Sequence, residues 1–486
     1  MDDFGREQQP EEKPLWIRKD SPKREKYEGL LSKTYKKDEI CVFFQDTPSD
    51  QDITSVKDSL KDALKDRFKK KDLDPGEIDV RKCDHCNCPV VLFRGRELHS
   101  VINTEGVRAG SVPTPPVVGE EYSLNFYKSI PLDKWKGRNY LSSRPLDFSE
   151  NTSKLVVAVL DTGIDTDLVD PRYLWKNTDK NRSSGCYKEA ESGWNFVNLS
   201  SGPGNGSADF RDDHPDRHGT VVSQFIINEF RRSRRRSVQI MPLKTHDQDG
   251  VGDLFGVLCA IYFAVANGAH IINASWGFYY YYENPFRFLS KIIALKLKEK
   301  GMLFITAAGN KFADEEDIAR EIYQDEYGKD ISDDQLRNLA LHNFYPAHLS
   351  RGDGSQRGEN SVITVTTTDG ETVSPTQNYS RFFTDLGVLA DQTGDDGAMK
   401  FQIPFPGHEE ELVSGSSFAA AIATGLIGAY TPEKFFRPGI DKSRIFDFLS
   451  SRSGRRGAGP LLVEKQELAG KYIRNGACIR KTTEGS

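Results

Sequence analysis

Three short segments of this 486-residue chain carry side chains able to do nucleophilic chemistry. Asp161 lies in Val159-Leu-Asp161-Thr-Gly163-Ile-Asp165, an acid at the end of an apolar run. His218 opens His218-Gly219-Thr220, ahead of an apolar helical stretch. Ser417 stands in Ser414-Gly415-Ser416-Ser417-Phe418-Ala419-Ala420-Ala421, at the head of a second such stretch rich in small residues. Singly, each has a plain structural reading. Asp-Thr-Gly suits a strand-to-turn cap or an aspartic-protease motif, a lone histidine at a helix start is most often structural, and a serine there caps the helix. Together they meet the needs of acyl transfer: a hydroxyl nucleophile, an imidazole to take its proton, and a carboxylate to stabilise the imidazolium. A fourth segment fits them. Thr306-Ala-Ala-Gly-Asn310 follows a buried run, and its asparagine can donate to a tetrahedral oxyanion.

These groups need a scaffold, and the apolar pattern supplies one. Leu155-Val-Val-Ala-Val-Leu160 is a near-continuous apolar run, as expected of a parallel strand buried on both faces. His270-Ile-Ile-Asn273, Met302-Leu-Phe-Ile-Thr306 and Val362-Ile-Thr-Val365 repeat it, with helical stretches at 221–230, 254–266, 286–298 and 418–429 between or after them. Alternation of this kind predicts an α/β fold, a doubly wound and mostly parallel sheet. Right-handed crossovers then gather the loops after the strand ends on one edge, where such sheets bind ligands.

A smaller α+β domain is expected ahead of it, over 41–110. Cys41-Val-Phe-Phe44 reads as a strand, and Val56, Leu60, Leu64 and Phe68 recur every four residues as on an amphipathic helix. Ile78-Asp-Val80 and Val90-Val-Leu-Phe93 read as further strands. Residues 1–40 read as a flexible lead-in, 111–150 as a linker that opens with Pro and Gly, 151–435 as the catalytic domain and 436–486 as a C-terminal extension. The stretch 311–343 reads as an insertion. Between 311 and 340 it carries ten carboxylates against four bases, which suits a solvated helical face.

With the four chemical motifs in this order, residues from about 153 to 430 resemble the subtilisin-like serine proteases, the subtilase or peptidase S8 family. The chain order Asp, His, Ser is the one that subtilisin uses. The resemblance implies a serine endopeptidase in which Ser417 attacks the peptide carbonyl and His218 moves the proton. It also implies that Asp161 orients His218, and that Asn310 with the Ser417 amide holds the oxyanion. Gly250 and Gly252 match one edge of the family's substrate cleft, and Ser275, Trp276 and Gly277 the other, with a protein or peptide substrate extended between them. Two departures mark a divergent branch: Val221 follows the His-Gly-Thr motif where many members have a second histidine, and Ala421 stands where proline is usual. Secreted members carry an inhibitory prodomain that 41–110 does not obviously match, so this domain is expected to inhibit or to recruit a regulatory protein. Intracellular relatives serve in self/non-self and anti-phage defence, and a regulated protease in a defence or cell-death system is the expectation by analogy. A catalytically inactive scaffold or binding protein on the same fold is the alternative.

Composition limits the rest. A net charge of −6 argues against wholesale nucleic-acid binding, and no apolar stretch is long and clean enough to cross a membrane. The opening residues, MDDFGREQQPEEK, hold no apolar signal core. Seven cysteines, an odd number with four scattered singly, make a poor disulfide framework; a reducing, cytoplasmic setting is expected. Cys83-Asp-His85-Cys86-Asn-Cys88 packs three thiols and a histidine into six residues, so zinc at Cys83, Cys86 and Cys88 is one reading, a thiol switch or plain turn cysteines the others. The family's hydrolysis needs no cofactor. Many members hold structural calcium, but Asp247-Gln-Asp249-Gly250 lacks the full loop spacing. The run Arg231-Arg-Ser-Arg-Arg-Arg236 reads as a solvated loop, and Tyr279 to Tyr282 as either substrate contacts or an edge cover.

Overall fold

A computed structural model describes residues 17, 23–69, 76–83, 86–101, 121–130, 154–177, 189–197, 199, 206–281, 286, 289–311, 313–351, 360–395, 397–405, 411–451, 461–463, 473 and 477–479. The apolar runs form a central sheet. Its strands are β5 (Lys154–Asp161), β6 (Trp194–Asn195), β7 (Ser237–Lys244), β9 (Ile271–Ala274), β11 (Leu303–Ala307), β13 (Val362–Thr368), β14 (Leu386–Leu389), β18 (Leu461–Val463) and β19 (Ala477–Ile479). They lie in the order β18-β19-β14-β13-β11-β9-β5-β7-β6. Every pairing is parallel except β18 with β19.

Because side chains alternate across a strand, one run feeds two cores. Leu155, Val157 and Val159 enter an apolar cluster with α3 (His218–Ser233) and α8 (Ser416–Tyr430). Ala158 and Leu160, one residue out of step, enter another cluster with α4 (Leu254–Ala266). That is why these strands read as continuous rather than alternating hydrophobics. The two sequence departures fall in the first cluster, where Val221 and Ala421 are both fully buried. They are packing residues.

The N-terminal part differs from expectation. Its sheet runs β2-β3-β1-β4-β8: β1 (Tyr35–Phe43), β2 (Asp79–Lys82), β3 (Val90–Arg94), β4 (Glu121–Ser129) and β8 (Val251–Asp253). One face is covered by α2 (Asp50–Lys69), with Val56, Leu60, Leu64 and Phe68 in its apolar cluster as the spacing requires. The flexible lead-in contains an ordered helix, α1 (Arg24–Leu31), and β1 already begins at Tyr35. The linker contains β4, which pairs antiparallel with β1 on one side and with β8 of the catalytic domain on the other. The unit is therefore continuous with the catalytic domain. The C-terminal stretch likewise supplies α9 (Lys442–Ser451), β18 and β19 to the main body rather than trailing from it.

The acidic stretch is also a correction. It forms α6 (Ala313–Tyr327) and α7 (Asp333–Arg337), following α5 (Leu297–Lys300), and it faces this chain rather than solvent alone. Lys26 of α1 pairs with Asp325 and with Glu321 at 3.1 Å, and the Tyr27 hydroxyl donates to Glu326 at 2.9 Å. Glu316, at the insertion's root, is buried against Arg337. The carboxylates of Glu321, Asp325 and Glu326 are legible as charge, but their partners Lys26 and Tyr27 lie some 300 positions away. Two small sheets complete the fold, β10 (Phe278–Tyr280) with β12 (Asn343–Tyr345), and β15 (Gln392–Thr393) with β16 (Met399–Gln402) and β17 (Leu412–Val413).

Ile422 is fully buried in the cluster shared by α3, α8 and the sheet. Replacing it by alanine should cost about 2–5 kcal/mol, the usual result of deleting buried methylenes from a packed core. A thermal melt followed by intrinsic fluorescence would read this as a lowered Tm.

Candidate active site

The carboxyl edge of the sheet gathers the predicted residues. Asp161 ends β5, Asn310 lies three residues beyond β11, and His218 and Ser417 stand in the first turns of α3 and α8. His218 Nδ1 donates to Asp161 Oδ1 at 2.8 Å, and both side chains are buried. The same oxygen accepts the Thr162 amide at 2.8 Å. Burial pushes the Asp161 carboxyl up, but the His218 charge and these two hydrogen bonds outweigh it, so it lies below the ordinary carboxylate range.

The first turn of α3 has amides with no partner in the helix, and residues around Asp161 supply them. Thr162 Oγ1 accepts the Gly219 amide at 2.9 Å. The Asp212 carboxylate accepts the Thr220 amide at 2.9 Å and the Thr220 hydroxyl at 2.7 Å. His218 is thereby pinned to β5 through its neighbours. Neither Thr162 nor Asp212 was singled out from sequence, since no spacing rule links Asp212 to a histidine six residues on.

Ser417 is buried, and its hydroxyl donates to the Ser275 carbonyl at 3.1 Å; the Ser275 hydroxyl returns a bond to the Ser417 carbonyl at 3.1 Å. The ring of Phe418, the next residue, lies 5.3 Å from that of His218. Asn310 Oδ1 accepts the Ser416 amide at 2.9 Å and the Ser416 hydroxyl at 2.8 Å, which leaves its Nδ2 hydrogens to donate elsewhere. Gly415 precedes α8 at φ 143°, a value that only glycine adopts readily, and a Cβ there would sit 3.3 Å from Asn310 Nδ2. Behind Asn310, Asn378 bonds both Gly309 and Ala308, and Tyr279 reaches the Asn310 carbonyl at 3.4 Å. Tyr279, Tyr280 and Tyr281 are buried with Phe286 and Phe344 in an aromatic cluster, so they cover and support; Tyr282 lies outside the described residues.

The two cleft edges come together around this chain's own backbone. Lys128 pairs with Gly252 and Ser129 with Val251 in an antiparallel ladder, and the Ile130 amide donates to the Gly250 carbonyl at 2.9 Å. On the other side, Ser129 bridges Gly277, with N···O distances of 3.4 and 3.5 Å. Gly277 has no room for a side chain, since a Cβ would meet the Phe344 ring at 2.2 Å. Trp276 is wholly buried beside His246, so its side chain belongs to the core. Lys128 is buried too, with its ammonium 3.2 Å from the centre of the Phe278 ring, and burial pushes its pKa well below the ordinary value.

The other sequence signals resolve into structure. The arginine run is the C-terminus of α3 and its cap, where cations suit the helix dipole; Arg235 lies over the Tyr430 ring at 4.6 Å. Asp247 Oδ1 accepts the Asp249 and Val251 amides at 3.0 and 2.9 Å, which closes a turn. The grouping of His, Cys, Asp and Glu ligand atoms found among the described residues consists of three thiols, soft donors unsuited to calcium. Cys86 is disulfide-bonded, which removes it from the zinc set read from sequence and departs from the expectation of thiols throughout. Cys41, Cys83, Cys88, Cys259 and Cys478 are buried thiols outside any disulfide, and His85 lies outside the described residues.

A buried aspartate–histidine pair, with a helix-start serine on the same carboxyl edge of a doubly wound parallel sheet, is an arrangement able to do the chemistry of an α/β serine hydrolase. Residues 152–434, more than half of the chain, match the Subtilase family (Peptidase S8), and the protein belongs to that family; it is a subtilisin-like serine endopeptidase. Similar solved structures include an epidermin leader peptide processing serine protease from Staphylococcus aureus, 14% identical with a TM-score of 0.47, covering 91% of this chain and 96% of that one. A cold-adapted subtilisin-like serine proteinase is 17% identical with a TM-score of 0.40, covering 71% and 96%. A lanthipeptide protease is 18% identical with a TM-score of 0.40, covering 67% and 85%. Among curated proteins none matches.

Several histidines here are buried in the neutral form. Burial lowers His246 to about 3, His348 to about 3 and His214 to about 4, the last helped by the charge of His218. The unfolded chain takes up protons near the ordinary value of about 6.5, so the unfolded state binds more protons below it. Stability is therefore full above that pH and lost as pH falls from there towards the folded values. Each fully buried ring should contribute on the order of 1.4 kcal/mol per pH unit. Thermal melts between pH 7 and pH 5 should show a steadily falling Tm, and a flat profile would contradict the burial of these rings as neutral groups.

Proposed function

We propose that this subtilase hydrolyses protein substrates through Asp161, His218 and Ser417, and that its own N-terminal unit keeps it latent by occupying the substrate cleft. The observation that carries the latency is the segment Tyr127–Ile130, hydrogen-bonded to both cleft edges at Gly250, Gly252 and Gly277. An extended substrate needs those same backbone groups, because strand addition is how such an edge binds a peptide. While the segment is in place, a substrate must displace it. Release could come from a regulatory protein that engages the N-terminal unit, or from cleavage within the chain. Such control suits a protease of a defence or cell-death system. A cytoplasmic location belongs to the same proposal and rests on the five thiols outside any disulfide, although Cys86 is oxidised.

The chemistry follows from the positions of the groups. The Ser417 hydroxyl leaves the Ser275 carbonyl, passes its proton to His218 Nε2 and attacks the substrate carbonyl carbon. Asp161, bonded to His218 Nδ1, keeps the other nitrogen free to accept and stabilises the imidazolium that forms. The oxyanion is met by Asn310 Nδ2 and the Ser417 amide at the start of α8, where the helix dipole adds to them. His218 then gives its proton to the leaving amine. Water repeats the sequence on the acyl-enzyme, and no cofactor enters.

Two tests separate the parts of this reading. Ser417→Ala should lose all labelling by a fluorophosphonate probe. Asn310→Ala should keep peptide binding but lose on the order of 10²–10³ in turnover, a magnitude borrowed from the corresponding donor of subtilisin rather than derived from this geometry. A chain that the probe labels equally with and without Ser417 would remove the serine from the mechanism.

For latency, Ser129→Pro deletes the amide that faces Gly277 and disfavours the ladder. Weakening the self-docked strand by the worth of about one hydrogen bond, ~1 kcal/mol, should lower the apparent KM for a peptide substrate about five-fold with kcat unchanged. An unchanged KM would mean that the segment does not compete with substrate.

A further inference from the structure

Outside the catalytic centre, three cysteines converge where the two units of the chain meet. Cys83 directly follows β2, Cys88 lies two residues before β3, and Cys259 sits in the middle of α4. All three are buried, and their Sγ atoms lie within 4.8 Å of one another. Buried cysteines often act as small apolar fillers, and Cys41 and Cys478 are buried as well. A filler has no need to aim its sulfur at two others. The Cys41 thiol points elsewhere, at the Asn125 side-chain oxygen 3.7 Å away.

We propose that Cys83, Cys88 and Cys259 form a soft-metal site, of the class that takes Zn²⁺, which fastens the N-terminal unit to α4 of the catalytic domain. Zinc bonds thiolates at about 2.3 Å, and a tetrahedron of that size spaces its sulfurs roughly 3.8 Å apart, inside the spread seen here. Asn87 takes a φ of 50° between Cys86 and Cys88, and the Val90 amide donates to the Cys88 sulfur. Binding converts three thiols to thiolates and releases three protons, leaving the fourth corner of the tetrahedron for a water. Sequence alone points to Cys83, Cys86 and Cys88, with the fourth ligand left to Cys41, His99 or a distant residue. The fold replaces Cys86, held in a disulfide, by Cys259, which is 171 positions from Cys88 in the chain. The site stands whether or not the cleft segment inhibits, because its ligands are none of the groups that touch substrate.

The test uses the full-length chain, purified under reductant and loaded with Co²⁺ or Zn²⁺ alone. The wild type should show thiolate-to-cobalt charge-transfer absorption that Zn²⁺ abolishes, and should retain about one zinc per chain by elemental mass spectrometry after gel filtration. Cys259→Ser and Cys88→Ser should each lower that stoichiometry at least about ten-fold, and Cys41→Ser should leave it intact. Should the serine variants fail to fold, proton release on adding Zn²⁺ to the wild type decides the matter, with about three protons expected per metal. No charge-transfer band and no retained zinc in the wild type would overturn the proposal. So would zinc retained in a folded Cys259→Ser chain, or a native disulfide joining two of the three cysteines.

Discussion

A strand edge with unpaired amides and carbonyls must find a partner, and the cleft of this protein presents two such edges face to face. The segment ending β4 satisfies both at once, Ser129 lying between Val251 and Gly277. Much of the N-terminal architecture depends on that one placement. With β4 fixed there, Asn125 reaches an amide in the first turn of α4 through its side-chain oxygen, at 3.1 Å from Phe255 N, while its amide group bonds Glu39 at 2.6 Å. Lys36 meets Asp253, the residue capping α4, at 2.6 Å, and Phe126 stacks on Phe278 at 5.3 Å. Asn125, Glu39, Lys36 and Asp253 are paired within this junction, whereas the buried Lys128 ammonium lies over the Phe278 ring.

The candidate site follows a related logic. Asp161, His218, Asn310 and Ser417 lie at or near helix starts and strand ends, where the backbone has amides or carbonyls left over, and neighbouring side chains use those to set their orientation. Thr162 and Asp212 hold the first turn of α3, while Ser416 holds Asn310. His218 is thus positioned through its backbone neighbours as well as its own bond to Asp161, and Asn310 through the two bonds its side-chain oxygen accepts. Packing completes the arrangement, since α3 and α8 share one apolar cluster that keeps His218 and Ser417 on the same edge.

The acidic insertion shows how far composition can mislead. Ten carboxylates in thirty residues read as a solvated face, and several of them are exposed. Yet Glu321, Asp325 and Glu326 hold α1, a segment whose own composition suggested no structure. Both halves also bury apolar side chains, Tyr27 and Leu31 on one and Ala319, Ile322 and Tyr323 on the other, and the polar pairs add to that contact.

Much of the catalytic domain was legible because its signals are local. A strand buried on both faces must be apolar throughout, and acyl transfer calls for particular residue types, so Asp161, His218, Asn310 and Ser417 stand out as candidates with their neighbours. What the sequence could not disclose is long-range pairing. β4 reads as part of a linker because its partners are β1, some 80 positions back, and β8, well over 100 positions ahead. Cys259 reads as one apolar residue in a buried helix until the fold brings Cys83 and Cys88 to it. Local pattern specifies which face a residue presents, since that depends on a period of two or 3.6. Which surface it meets depends on shape, on unpaired backbone and on complementary charge contributed from elsewhere in the chain, and those exist only once the tertiary structure has formed.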